Sequence, residues 1–208
     1  MIVPDTKDWT WVLERPCPDC GLGTQGFVRD AIAGMISRNA RQWQEVLAGP
    51  GDTARRPSPG TWSAPGYACH VRDVLRLYDE RLVLMLMTGG PRYPDWDQDA
   101  TAVAGRYAEQ DPARVAADLR DAADVIAARF GQVSGDQWQR TGLRSDGARS
   151  SPSRGTSSTI WFIIPTTSPA YPALLPPPRC LTPPRPMSSS ARGLQARTSQ
   201  AQCAHHEA

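Results

Sequence analysis

Residues 63–87 read SAPGYACHVRDVLRLYDERLVLMLM, and this stretch decides the fold. Ser63 precedes Pro65, the pairing of a helix N-cap with proline in the first turn. From there Tyr67, Val71, Val74, Leu75, Tyr78, Leu82, Met85 and Leu86 recur at intervals of three and four, the period of an amphipathic helix. The pattern runs to about Met87 and stops at TGGP. It is the most apolar element of the chain and is expected at the centre of whatever it packs against.

Upstream, Phe27, Val28, Ile32, Met35, Ile36, Trp43, Val46 and Leu47 repeat the same spacing and end at AGPG, which predicts a helix over roughly 26–48. The loop GDTARRPSPGTW separates the two. Downstream, RYPDWDQDA reads as a loop, with a short helix over 101–110. Asp111 and Pro112 form a second cap-and-proline start. Val115, Leu119, Ala122, Ala123, Ile126 and Phe130 then mark the buried stripe of a third long helix that ends at Gly131, and SGDQWQRTG is a loop. Strand signals are nearly absent. The fold class is all-α: three apolar stripes call for a fourth helix to close a bundle, due after RTGLRSDGA.

The bulk numbers separate a body, 1–148, from a tail, 149–208. The 208 residues carry a net charge of +2. The tail holds six Arg and one Glu, leaving 17 basic and 20 acidic residues, about −3, in the body. No basic stripe suits a phosphate backbone, which argues against nucleic acid. The N-terminal MIVPDTKDWTW lacks the basic and apolar regions of a signal peptide. The longest apolar window of the tail, Ile160 to Ile164, is too short for a bilayer. The expectation is a cytoplasmic protein acting on a small molecule, with neither membrane nor nucleic acid as partner and a homodimer left open. Lysine occurs only as Lys7 while Arg and Ala abound, as in a GC-rich genome.

Three groups carry chemistry. His70 is the only histidine of the body, and by itself reads most simply as a solvent-facing or core-edge helical residue; one imidazole is no metal site, since zinc takes at least three protein ligands. Cys17 and Cys20 form a CxxC that fits half a zinc knuckle, a redox pair or, the favoured reading, a turn bearing two thiols at the outside of the bundle. Trp9, Trp11, Trp43, Trp62, Trp96 and Trp138 are numerous for a small body and are expected as core or loop anchors. His205 and His206, at the end of the tail, make a poor metal site.

The segments DWTWVLERPCPDCG, WSAPGYACHVRDVLRLYDERL, YPDWDQDATAV with RYAEQDP, and QWQRTGLRSDG together resemble the DinB-like superfamily. Their wording is most similar to an actinobacterial branch related to mycothiol-dependent maleylpyruvate isomerases, over about residues 8–148. The resemblance implies a four-helix bundle holding a divalent metal, zinc or nickel, through three residues that are commonly histidines, with mycothiol as a thiol cofactor. The first ligand sits on the second helix and corresponds here to His70. Implied activities are those of a thiol-dependent transferase or isomerase, or a metal-dependent hydrolase. The other two ligands come from the fourth helix, in a pattern like HDxxHHxHD, and no histidine lies between His70 and His205.

The tail explains the gap. SSTIWFIIPTTSPAYPALLPPP is unlike anything before it, and ten of the twenty prolines fall in the last sixty residues, where they forbid helix. Reading the third base of each codon for residues 150–170 with the first two of the next constrains every new residue. Trp161–Phe162 gives only Val, Phe162–Ile163 gives Tyr or His, and one permitted outcome is FTVERYLLHDLVHHTHDVTG. That is the missing helix-four motif. The chain from about Arg149 is therefore read as a frameshifted translation, expected to be disordered beyond Pro176, with Trp161–Ile164 poorly packed and no divalent metal bound. A genuine Pro-rich interaction tail is the alternative. The protein as written is then an inactive or impaired member of a metal-dependent enzyme family; a non-enzymatic helical ligand-binding or stress-associated protein is the competing reading.

Overall fold

The computed structural model describes residues 29–57, 61–144, 149 and 150. A 3-10 turn, Arg29–Ala31, leads into helix α1, Ile32–Leu47. Its buried residues Ile32, Met35, Ile36, Ala40, Trp43 and Leu47 keep the expected spacing. Helix α2, Ala64–Met87, begins as the sequence indicates: Ser63 is extended, its Oγ accepts the Gly66 N–H at 3.4 Å, and Pro65 occupies the first turn. It ends at Thr88, which is extended, ahead of Gly90 at φ +67.

The short helix lies earlier than expected. Helix α3 spans Gln98–Ala104 because Asp97, not a later residue, caps it, accepting the Ala100 N–H at 2.8 Å. Arg106 then adopts a left-handed conformation (φ 48), which breaks the helix, and a 3-10 turn follows over Tyr107–Glu109. Helix α4, Pro112–Gln132, is capped by Asp111, whose carboxylate accepts the Arg114 N–H at 2.8 Å. Its stripe Val115, Leu119, Ala122, Ala123, Ile126, Phe130 is buried throughout.

Two departures from the sequence reading concern long-range structure. Residues read as loop form a small sheet: β1, Arg92–Tyr93, pairs in parallel with β2, Gly142–Arg144, which pairs antiparallel with β3, Arg149–Ser150. Strands of two or three residues leave no alternating pattern to read. The sheet tolerates no side chain at Gly142, since a Cβ there would lie 2.6 Å from the Tyr93 ring. The second departure is the centre of the bundle. Among the described residues α4 packs along both α1 and α2, which touch each other little, so α4 rather than α2 is the shared partner. The alanines of its stripe let two helices approach one face, whereas much of α2 is covered by the segments around it.

The architecture is thus a mostly helical bundle with little strand. No helix among the described residues is long and apolar enough to cross a membrane. Cys17, Cys20, the Trp161–Ile164 segment and the tail beyond Pro176 lie outside the described residues.

Candidate functional site

His70 lies two turns into α2 and is buried, with 8% of its surface exposed. The imidazole is flanked by two indoles. Trp96, from the segment between β1 and α3, stacks on it at 5.4 Å between centroids and 19° between planes. Trp62, one residue ahead of the α2 cap, lies at 5.4 Å and 48°. Trp62 in turn meets the edges of Tyr67 at 5.4 Å and Tyr107 at 5.9 Å. The inward orientation required of a site residue is therefore present, but the surroundings are aromatic walls rather than the helix interior alone.

Burial among these rings holds the His70 pKa down to about 4, against a partial opposing pull from the Asp73 carboxylate one turn on. At neutral pH the imidazole is uncharged, the form that can donate a lone pair to a metal or accept a proton.

Beside His70 runs a buried polar network. Arg72, 5% exposed, grips Asp73 sideways, Nε to Oδ1 at 2.8 Å and Nη2 to Oδ2 at 3.1 Å. Its Nη1 donates to Gln110 Oε1 at 2.7 Å. Tyr107 donates its hydroxyl to Asp73 Oδ2 at 2.6 Å, and Gln110 Nε2 donates to the Gly105 carbonyl at 2.6 Å. Burial and then the hydrogen bond to Asp73 push the Tyr107 phenol well above its ordinary pKa. Cys69, wholly buried and within 3.5 Å of Gln110 Oε1, has its thiol raised to about 11, mainly by burial, and is inert as a nucleophile at neutral pH. The network ties α2 to the segment 105–110 and so sets the position of Trp62, through Tyr107, against His70.

The segment 91–97 acts as a strap along one face of α2. Tyr93 lies over Arg81, the Pro94 carbonyl accepts from Arg81, and Trp96 covers His70. Sequence reasoning singled out His70, Trp62 and Trp96 but assigned the tryptophans no role at the histidine, and it gave no role to Arg72, Asp73, Tyr107 or Arg81. The one available signal was helical spacing: Asp73 and Arg81 stand three and eleven residues after His70 and share its side of the helix.

Could these residues hold a metal? Among the described residues no three His, Cys, Asp or Glu side chains converge. Asp73, the carboxylate nearest His70 along the helix, is engaged by Arg72 and Tyr107. The described part of the chain thus offers one imidazole donor and does not by itself fit a divalent ion.

No protein-family model matches the chain, and no curated protein matches it. Among solved structures, the fold is similar to that of YfiT from Bacillus subtilis, described as a probable metal-dependent hydrolase with an unusual four-helix bundle topology. The likeness has a TM-score of 0.61 at 14% identity and covers 74% of this chain and 90% of that one. The four-helix-bundle fold expected from the sequence is the fold found.

Proposed function

We propose that this chain derives from a metal-dependent enzyme of the DinB-like superfamily, in the actinobacterial branch related to mycothiol-dependent maleylpyruvate isomerase, with His70 as the first metal ligand. One observation carries the reading: the only histidine of the body is buried and neutral on the second long helix of a four-helix-bundle fold. That is the helix on which the sequence resemblance places the first ligand. The fold likeness to a probable metal-dependent hydrolase supports the same class of chemistry.

A complete centre would supply Lewis-acid polarisation of a carbonyl, or activation of a thiol or water. The residues of this chain contribute less. Burial keeps His70 unprotonated, Trp62 and Trp96 fix its ring plane, and the Arg72–Asp73–Tyr107 network holds the wall in place. The remaining two ligands belong, on this reading, to the helix-four motif that residues 150–170 encode in the neighbouring frame. The protein as written is accordingly inactive or impaired. The same ancestry implies zinc or nickel, mycothiol, and a cytoplasmic site of action.

The test is metal content. Full-length chain as written and a frame-restored version are loaded with zinc or nickel, desalted and analysed by mass spectrometry. The expected result is one-to-one metal in the frame-restored protein, abolished by His70→Ala, and none retained by the chain as written. Stoichiometric metal in the chain as written, dependent on His70, would refute the frameshift step.

The aromatic enclosure of His70, together with the lack of a three-ligand cluster among the described residues, favours one competing reading, a metal-free ligand-binding bundle. Ligand-induced stabilisation that persists in chelator separates it from the first.

A further inference from the structure

Arg81 lies three turns beyond His70 on α2, about 16 Å along the axis at 1.5 Å per residue. Only 7% of its surface is exposed. Residues of its kind are almost never so buried without a counter-charge. Yet among the described residues no carboxylate oxygen comes within 4 Å of its guanidinium. Its neighbour in sequence, Asp79, is turned to the other side of the helix, where it pairs with Arg129 of α4. Glu80 is exposed.

The donors are as under-used as the charge. A guanidinium has five N–H groups. One nitrogen, Nη2, donates to the Pro94 carbonyl at 2.8 Å. Nε is fully buried and has no acceptor among the described residues. Two rings lie against the group, Tyr93 at 4.5 Å and Tyr78 at 5.8 Å from Cζ. The edge of a guanidinium is the surface that recognises a planar or tetrahedral oxyanion. Arg140, whose guanidinium donates to the Leu86 carbonyl, adds positive charge at the same end of α2.

We propose that Arg81 anchors an anion-binding subsite under the 91–97 strap, for the carboxylate or phosphate group of a small-molecule ligand. The strap's Tyr93 ring and Pro94 carbonyl, with the Tyr78 ring of α2 itself, orient the guanidinium and leave its remaining donors for the ligand. A purely structural arginine would be better replaced, since an isosteric apolar side chain avoids the desolvation of an unpaired charge. This inference is independent of the metal reading, as Arg81 and His70 are separate along the helix.

Thermal melts of the full chain test it, in chelator so that the outcome does not depend on metal. Sodium chloride is replaced at constant ionic strength by sodium malonate or by sodium phosphate. The expected result is a saturable rise in Tm of about 3–6 °C when the anion is tenfold above its Kd. Response to malonate alone identifies a carboxylate ligand, and response to phosphate alone a phosphoryl ligand. Arg81→Met abolishes the response and melts no lower than wild type in chloride, while Arg92→Met retains it. Arg81→Lys, which keeps the charge but loses the fork, raises the anion midpoint by about tenfold. A wild type that responds to neither anion overturns the proposal. So does a response that survives Arg81→Met or one whose midpoint is unchanged in Arg81→Lys.

Discussion

Acidification should strip a defined part of the stability of this protein through one residue. His70 is enclosed by Trp62 and Trp96, and both oxygens of its one nearby counter-charge, Asp73, are already bonded to Arg72 and Tyr107. A proton on the imidazole therefore gains little and loses hydration, and the folded pKa falls from 6.5 to about 4. The unfolded chain takes up that proton near its ordinary pKa, so below that value the unfolded state binds more protons than the folded one. Stability contributed by the neutral imidazole is whole above about pH 6.5, declines as the pH falls, and is gone by about pH 4. A depression of this size corresponds to about 3 kcal/mol at 1.36 kcal/mol per unit. That is a large share of a typical total of about 5–15 kcal/mol. Urea unfolding of wild type and His70→Asn between about pH 7.5 and pH 4 measures it, because the carboxylates common to both cancel in the difference. The wild type's advantage should shrink by about 3 kcal/mol across that window. A gap that stays constant, or widens towards acid, would mean that the imidazole is not shielded as described.

Three further outcomes follow from single contacts. Tyr107→Phe removes a 2.6 Å hydrogen bond to a partly buried carboxylate and should cost about 1.5–3 kcal/mol in urea unfolding; a loss near zero would show that Asp73 is satisfied without it. Gly142→Ala places a Cβ against the Tyr93 ring and should cost about 1–3 kcal/mol, with faster amide exchange at Leu143, whose N–H donates to the Pro91 carbonyl; unchanged exchange would refute the close packing of β1 on β2. Asp111→Ala should cost about 1 kcal/mol through the lost α4 cap, and Asp111→Asn should restore most of it, since either side chain can accept the Arg114 N–H.

In a four-helix bundle each helix contacts two neighbours, and here α4 serves both α1 and α2 while those two scarcely meet. On the proposed frameshift, the place opposite α4, between α1 and α2, is where the motif permitted by the neighbouring frame would lie. Restoring that frame should therefore raise the cooperativity and midpoint of unfolding together with metal binding, and a gain in metal without a gain in stability would separate the two effects.

The sequence by itself determined the helices. Ser63 and Asp111 mark the starts of α2 and α4, TGGP and Gly131 their ends to within a residue, and most stripe residues of α1 and α2 and all of those of α4 are buried where described, because capping and the three-to-four-residue period are local properties of the chain. It also indicated a bundle, and it placed one histidine where a site could be. Tertiary structure decided what surrounds that histidine. Trp62 and Trp96 are separated from His70 by eight and twenty-six residues in opposite directions; Trp96 meets it because the strap folds back along α2, and Trp62 meets it from the segment ahead of α2, against Tyr107. The same folding brings Tyr93 over Arg81 and pairs β1 with a strand fifty residues away. A helical period says which side of α2 is covered; it carries no information about which segments do the covering, and the shift of His70 to an acidic pKa and the burial of Arg81 away from any carboxylate among the described residues both depend on those segments.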